Sequence, residues 1–202
     1  LWTDLAQSME IGYETVGQVL EDVRFEDITV LHAFHKPVMS IHNANNADIK
    51  RVSYKNITVE AASMGGGDAG TNKQLIQFNI AWSANWSDSH TTTALGSIDT
   101  VTVENVWVLD GNNNIPMEVA GCVDTRSAYY GTTHYVRNVA IKNVQFKSQR
   151  LDSDYPYLTT NAYTENITLT DDQGAITGAE YPRAWSESEL SQYQDFVTVY
   201  IN

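Results

Sequence analysis

The sequence predicts an all-β chain wound as a right-handed parallel β-helix, a solenoid of about five coils with a short C-terminal helical cap. Three observations predict it. An eleven-residue pattern recurs four times, at Leu20 to Val30, Ile49 to Val59, Ile98 to Val108 and Val136 to Phe146. Apolar residues hold its first, fourth, sixth, ninth and eleventh places, and the residue before the ninth is always Asp or Asn. The copies start 29, 49 and 38 residues apart. The repeated element is thus constant while the connections vary, as happens when one unit is stacked on the next.

Within a copy, alternating β-branched residues make strands with one buried face. The break in phase at Asp27, Asn56, Asn105 and Asn143 makes a turn between two strands. Stacked about 4.8 Å apart, these side chains form an internal ladder in which each amide bonds to the next coil. Ahead of each copy lies another alternating stretch: Ser8 to Tyr13, Val38 to His42, Leu75 to Ala81 and Pro116 to Gly121, with a weaker one at Tyr157 to Ala162. Each coil therefore has three strands. Tyr163 to Leu169 reads as a degraded second half of the repeat, with Asn166 in the inward turn position of Asn56.

Coils are accordingly expected over residues 1–170. They are expected to continue from others upstream, because an uncovered first coil would leave an open strand edge. Beyond Asp171 the pattern stops. Ser186 with Glu189 makes a capping box, and Trp185 with Leu190 makes a hydrophobic staple. Residues 171–202 therefore read as a cap with a helix over about 186–196.

The 202 residues carry 25 acidic against 12 basic side chains, a net charge of −13. This fits one domain whose surface disfavours nucleic acid and anionic membranes and leaves a neutral polysaccharide as a compatible partner. The lone Cys122 excludes an intrachain disulfide and a thiolate metal cluster. His32, His35, Lys36 and His42 have no metal-binding spacing, so no metal or cofactor is expected. No apolar run reaches membrane-spanning length.

Between Met9 and His42 the chain reads Glu10-Ile11-Gly12, then the block Val19 to Ile28, then Ser40-Ile41-His42. This succession resembles the pectin-lyase-like superfamily, which includes polygalacturonases and dextranases. In polygalacturonases a Ser-Ile-Gly strand precedes a Val-x-x-Val-x-Phe-x-Asn/Asp-Ile block and an Arg-Ile-Lys strand. Gln7 stands where that family carries a histidine, and Ser40 and His42 stand where it carries arginine and lysine. The resemblance implies a secreted, polysaccharide-degrading glycoside hydrolase, present as a monomer or as part of a larger polypeptide. It transfers no catalytic residue onto this chain, since the family's paired aspartates would precede Leu1.

Strand phase supplies the candidates. Met9, Ile11 and Tyr13 share the inward phase, leaving Glu10 and Gly12 outward. The next coils set Ser40, Gln77 and Glu118 over Glu10, and His42, Asn79 and Ala120 over Gly12, forming a polar stripe on one sheet. Glycoside hydrolysis needs two carboxyl groups, one protonated to donate and one to activate water or attack the sugar. Glu10 and Glu14 are the candidates, and both also read as solvated strand and turn acids. His35, His42, Asn79 and Glu118 are candidate sugar-binding residues. Trp82 and Trp86 can stack on sugar faces or roof the core under a long loop. A lyase is less favoured because no Arg/Lys row lies on the stripe. The alternative to an enzyme is a non-catalytic carbohydrate-binding or structural module.

Overall fold

The computed structural model describes residues 2–3, 8–33, 36–62, 75–82, 94–111, 114–126 and 128–172, with backbone alone at 2–3. The described residues are all-β and contain no helix. In chain order the strands are β1 (Trp2–Thr3), β2 (Met9–Tyr13), β3 (Val19–Glu21), β4 (Arg24–Val30), β5 (His32–Ala33), β6 (Met39–Asn43), β7 (Asp48–Ala62) and β8 (Ile76–Ile80). They continue as β9 (Ile98–Gly111), β10 (Met117–Ala120), β11 (Cys122–Val123), β12 (Thr133–His134), β13 (Val136–Phe146), β14 (Gln149–Leu151), β15 (Leu158–Thr160) and β16 (Thr164–Thr170). The expected helical cap lies outside the described residues, apart from Asp171 and Asp172.

Two parallel sheets carry most of the chain, which alternates between them. One has the order β2-β6-β8-β10-β15. The other stacks the repeat copies: β3 and β4 pair with β7, β7 with β9, β9 with β13 and β13 with β16. Equivalent repeat places meet in register, as in Ile49 with Ile98, Val52 with Val101 and Val139 with Val101. Antiparallel pairing is confined to β13 with β14 and β11 with β12 among the described residues.

Each copy bends twice. Asp27, Asn56, Asn105 and Asn143 hold φ between 54° and 58°, which reverses the side-chain phase at the eighth place. Asp22, Arg51, Thr100 and Asn138 hold φ between 54° and 60° at the third place. The three-residue step from the first to the fourth apolar place is the same phase break as that from the sixth to the ninth. Each copy is therefore strand, bend, strand, bend, strand. This corrects the reading of Asn166. Glu165 pairs with Arg137 and Ile167 with Val139, so Asn166 (φ 57°) takes the first bend, is exposed, and donates to Asn138 Oδ1 at 2.9 Å.

The core lies between the two sheets. Met39, Ile41, Ile76, Phe78, Met117 and Val119 from one sheet are fully buried, as are Ile49, Tyr54, Ile57, Val101, Val103 and Val139 from the other. Burying each such side chain contributes about 1.5–3 kcal/mol. Tyr54 stacks on Phe25 at 4.9 Å and on Phe78 at 5.7 Å, between ring centres.

Tyr13 departs from its predicted inward phase. Its neighbours Met9 and Ile11 are buried, but its φ of 40° breaks the alternation at the strand end and turns the ring against His42.

Candidate functional site

The outward face of the first sheet is built by register. Glu10 pairs with Ser40, Ser40 with Gln77, Gln77 with Glu118, and Glu118 with Thr159. One step along, Gly12 pairs with His42, His42 with Asn79, and Asn79 with Ala120. The stripe read from strand phase is therefore present and gains Thr159. Most of it closes on itself. Gln77 Nε2 donates to Glu118 Oε2 at 3.0 Å, Thr159 Oγ1 donates to Met117 O at 3.1 Å, and Ser40 is buried.

Glu10 is different. Its carboxyl folds over Gly12 so closely that a Cβ on Gly12 would sit 2.4 Å from Glu10 Oε1. Its Oε2 is buried without a hydrogen-bond partner among the described residues. Burial pushes the Glu10 pKa up to about 7, with the charge of Lys36 opposing the shift. A solvated glutamate is ionised at that pH, whereas much of Glu10 keeps its proton.

Around Glu10 stand groups drawn from separate segments. The Tyr13 ring stacks on His42 at 4.2 Å with 25° between planes. Lys36 Nζ donates to Tyr13 Oη at 3.4 Å and lies 5.8 Å from the ring centre. Burial, first, and the Glu10 charge, second, raise the Tyr13 pKa and keep its phenol protonated. Burial pushes His42 down to about 4 against the opposing pull of the neighbouring Asn79 side chain, so the imidazole is neutral near pH 7 and can donate or accept a proton in a hydrogen bond. The constellation thus offers a protonated carboxyl, a neutral imidazole, a phenol and an ammonium group.

Glu14 lies exposed just after β2 and shares with Glu10 an open depression of about 440 Å³, which also reaches Thr15 and Val16. Glu118 joins the row but is three strands from Glu10, about 14 Å at normal strand spacing. That is too far for it to act as the second carboxyl of a glycosidase. Asn79 pairs with His42 across the strands and keeps a buried Oδ1 that no described residue meets, and Trp82 follows β8 at 38% exposure. His35 and Trp86 lie outside the described residues, as do Asp4 and the loop Gly65 to Asp68. His134, given no role from sequence, is buried in β12 near Asp124, which Arg126 holds by an ion pair.

Sequence reasoning missed Tyr13, the reach of Lys36 and the contact between Gly12 and the Glu10 carboxyl. The only signal for the last was a glycine at a strand position whose paired neighbours carry side chains. The chain matches no protein-family model, no curated protein and no solved structure.

Proposed function

We propose that this chain belongs to a right-handed parallel β-helix of pectin-lyase-like type that hydrolyses glycosidic bonds of an extracellular polysaccharide, with Glu10 as general acid. The observation that carries the reading is Glu10 itself: an outward, half-buried carboxyl with Oε2 buried and unpaired among the described residues, whose pKa burial raises to about 7. A raised carboxyl pKa beside a groove is the property a proton donor to a leaving oxygen requires. In this reaction Glu10 gives its proton to the bridging oxygen as the C–O bond breaks. Water then adds to the anomeric carbon and releases a proton to a carboxylate, for which Glu14 is the candidate on this chain. His42, Tyr13 and Asn79 hydrogen-bond the sugar hydroxyls, and successive sugars lie along the stripe past Gln77 and Glu118.

A binding module is the second reading, favoured by the exposed Trp82, whose ring face can stack on a sugar. Reducing-sugar release from a panel of α-glucans, pectins and plant polymers separates the two. Glu10→Gln is expected to lower turnover on the order of 10²- to 10⁴-fold. Turnover by the parent should fall as the pH rises through about 7, where Glu10 loses its proton. Near-normal turnover by Glu10→Gln would remove Glu10 from the mechanism, and binding without turnover by the parent would favour the module.

A further inference from the structure

We propose that Gly12 is a positioning residue: the space left by its missing side chain is the seat of the Glu10 carboxyl, holding it in the orientation from which it protonates the leaving oxygen. This rests on the reading of Glu10 as the acid.

Residues two apart on a strand share a face, so Glu10 and Gly12 are neighbours on the outward side of β2. A Cβ at Gly12 would meet Glu10 Oε1 at 2.4 Å and both Glu10 Cγ and Cδ at 3.1 Å, and these are its three nearest neighbours. Carboxyl and side chain cannot occupy that volume together. Backbone conformation does not call for a glycine here. Gly131 is the one glycine with positive φ among the described residues. Nor does the sheet call for one, since the residues at the same register in the next strands are His42, Asn79 and Ala120. A glycine inside a strand weakens it, and a close approach by another group is a standard reason to keep one. Here that group is the carboxyl, drawn down against the backbone with its Oε2 buried.

Two variants displace the carboxyl from opposite directions. Gly12→Ala fills the seat, and because the displaced atoms are the far end of a flexible side chain, the fold should tolerate it. Glu10→Asp leaves the seat empty by withdrawing the carboxyl one methylene. The Glu10 carboxyl is titrated directly by ¹³C NMR with labelled glutamate, using the difference from Glu10→Gln to assign the signal. In Gly12→Ala the midpoint is expected to fall from about 7 towards the ordinary 4.5. On the polysaccharide that the parent cleaves best, kcat should fall on the order of 10- to 100-fold in both variants, with KM within about twofold. The alkaline limb of the pH profile should move down with the titration midpoint. In a Glu10→Gln background, adding Gly12→Ala should change kcat by less than about twofold, because the group it positions is gone.

An unchanged midpoint in Gly12→Ala overturns the seat, as does an equal loss of kcat in the parent and Glu10→Gln backgrounds. If Glu10→Gln turns over normally, the catalytic reading falls by itself, and the titration then decides whether Gly12 seats the carboxyl.

Discussion

Two rows of polar side chains run across the strands of this protein, and they end differently. At the second bend of the repeat, Asn56 Nδ2 donates to Asp27 Oδ1, Asn105 to Asn56 and Asn143 to Asn105, at 2.8 to 3.2 Å, and the backbone N–H of Asp172 donates to Asn143 Oδ1. Each of these amides both donates and accepts within the row. On the other sheet, Gln77 and Glu118 close in the same way, but Glu10, on the outermost described strand, and Asn79 each keep a buried oxygen that no described residue meets. An unmet buried polar atom costs free energy, typically about 1–3 kcal/mol, so folding stability alone gives no reason to keep one. A row that completes its own hydrogen bonds is architecture. On the proposed function, the members left incomplete are where a ligand or a proton transfer finds something to do.

The contrast can be broken most severely from the ladder side. Asn105 sits mid-row at φ 58°, bonded above and below. Asn105→Ala removes both bonds and forces a Cβ-bearing residue without Asn's local hydrogen bonding into the left-handed region. Equilibrium denaturation should show a loss of about 2–4 kcal/mol, with polysaccharide turnover per folded molecule unchanged. Asn105→Gly keeps the backbone conformation and should lose about half as much. Equal losses would mean that the bend contributes nothing beyond the ladder bonds.

A smaller effect sharpens the site side. Because the Glu10 pKa is raised in the folded state, the associated stability is present below the ordinary value of 4.5 and declines as pH rises through about 7. Allowing for solvent screening of a half-exposed group, the decline amounts to about 1–2 kcal/mol. Glu10→Gln should abolish it, making the less active variant the more stable one at about pH 8. His42 acts in the opposite sense. Its folded pKa of about 4 lies below the ordinary 6.5, so its contribution is present above 6.5 and is lost as pH falls towards 4. The two contributions change over nearly the same window, about pH 4 to 7, with opposite sign, so melting temperatures across it should rise more steeply with pH in Glu10→Gln than in the parent and fall more steeply in His42→Asn. A parent-like slope between pH 4.5 and 7 in Glu10→Gln would assign the decline to other groups.

The smallest effect is expected at the exposed end of the ladder. Asp27→Asn keeps a residue type tolerant of left-handed backbone and an oxygen for Asn56, so stability should move by less than about 0.5 kcal/mol. A larger loss would show that the ladder depends on a negative charge at its end.

Much of this architecture is written in local order. The eleven-residue pattern predicts which residues pair, and Ile49, Val52, Ile98, Val101, Val136 and Val139 meet as their places require. Strand alternation likewise put Glu10, Ser40, Gln77 and Glu118 in one row, because a two-residue period depends on sequence position alone. The first bend was equally legible. Leu20 to Val23 makes the same three-residue step as Phe25 to Ile28, and giving that step its weight would have placed Asn166 beside Asn138 instead of in the ladder. The state of the site was not legible. Tyr13 shows no sequence mark of its φ of 40°, and Lys36 reaches it from 23 residues away. Sequence marks Glu10 only as an outward acid. Its proton is kept by desolvation, and desolvation is set by whatever the fold packs around a group, which only the tertiary structure decides.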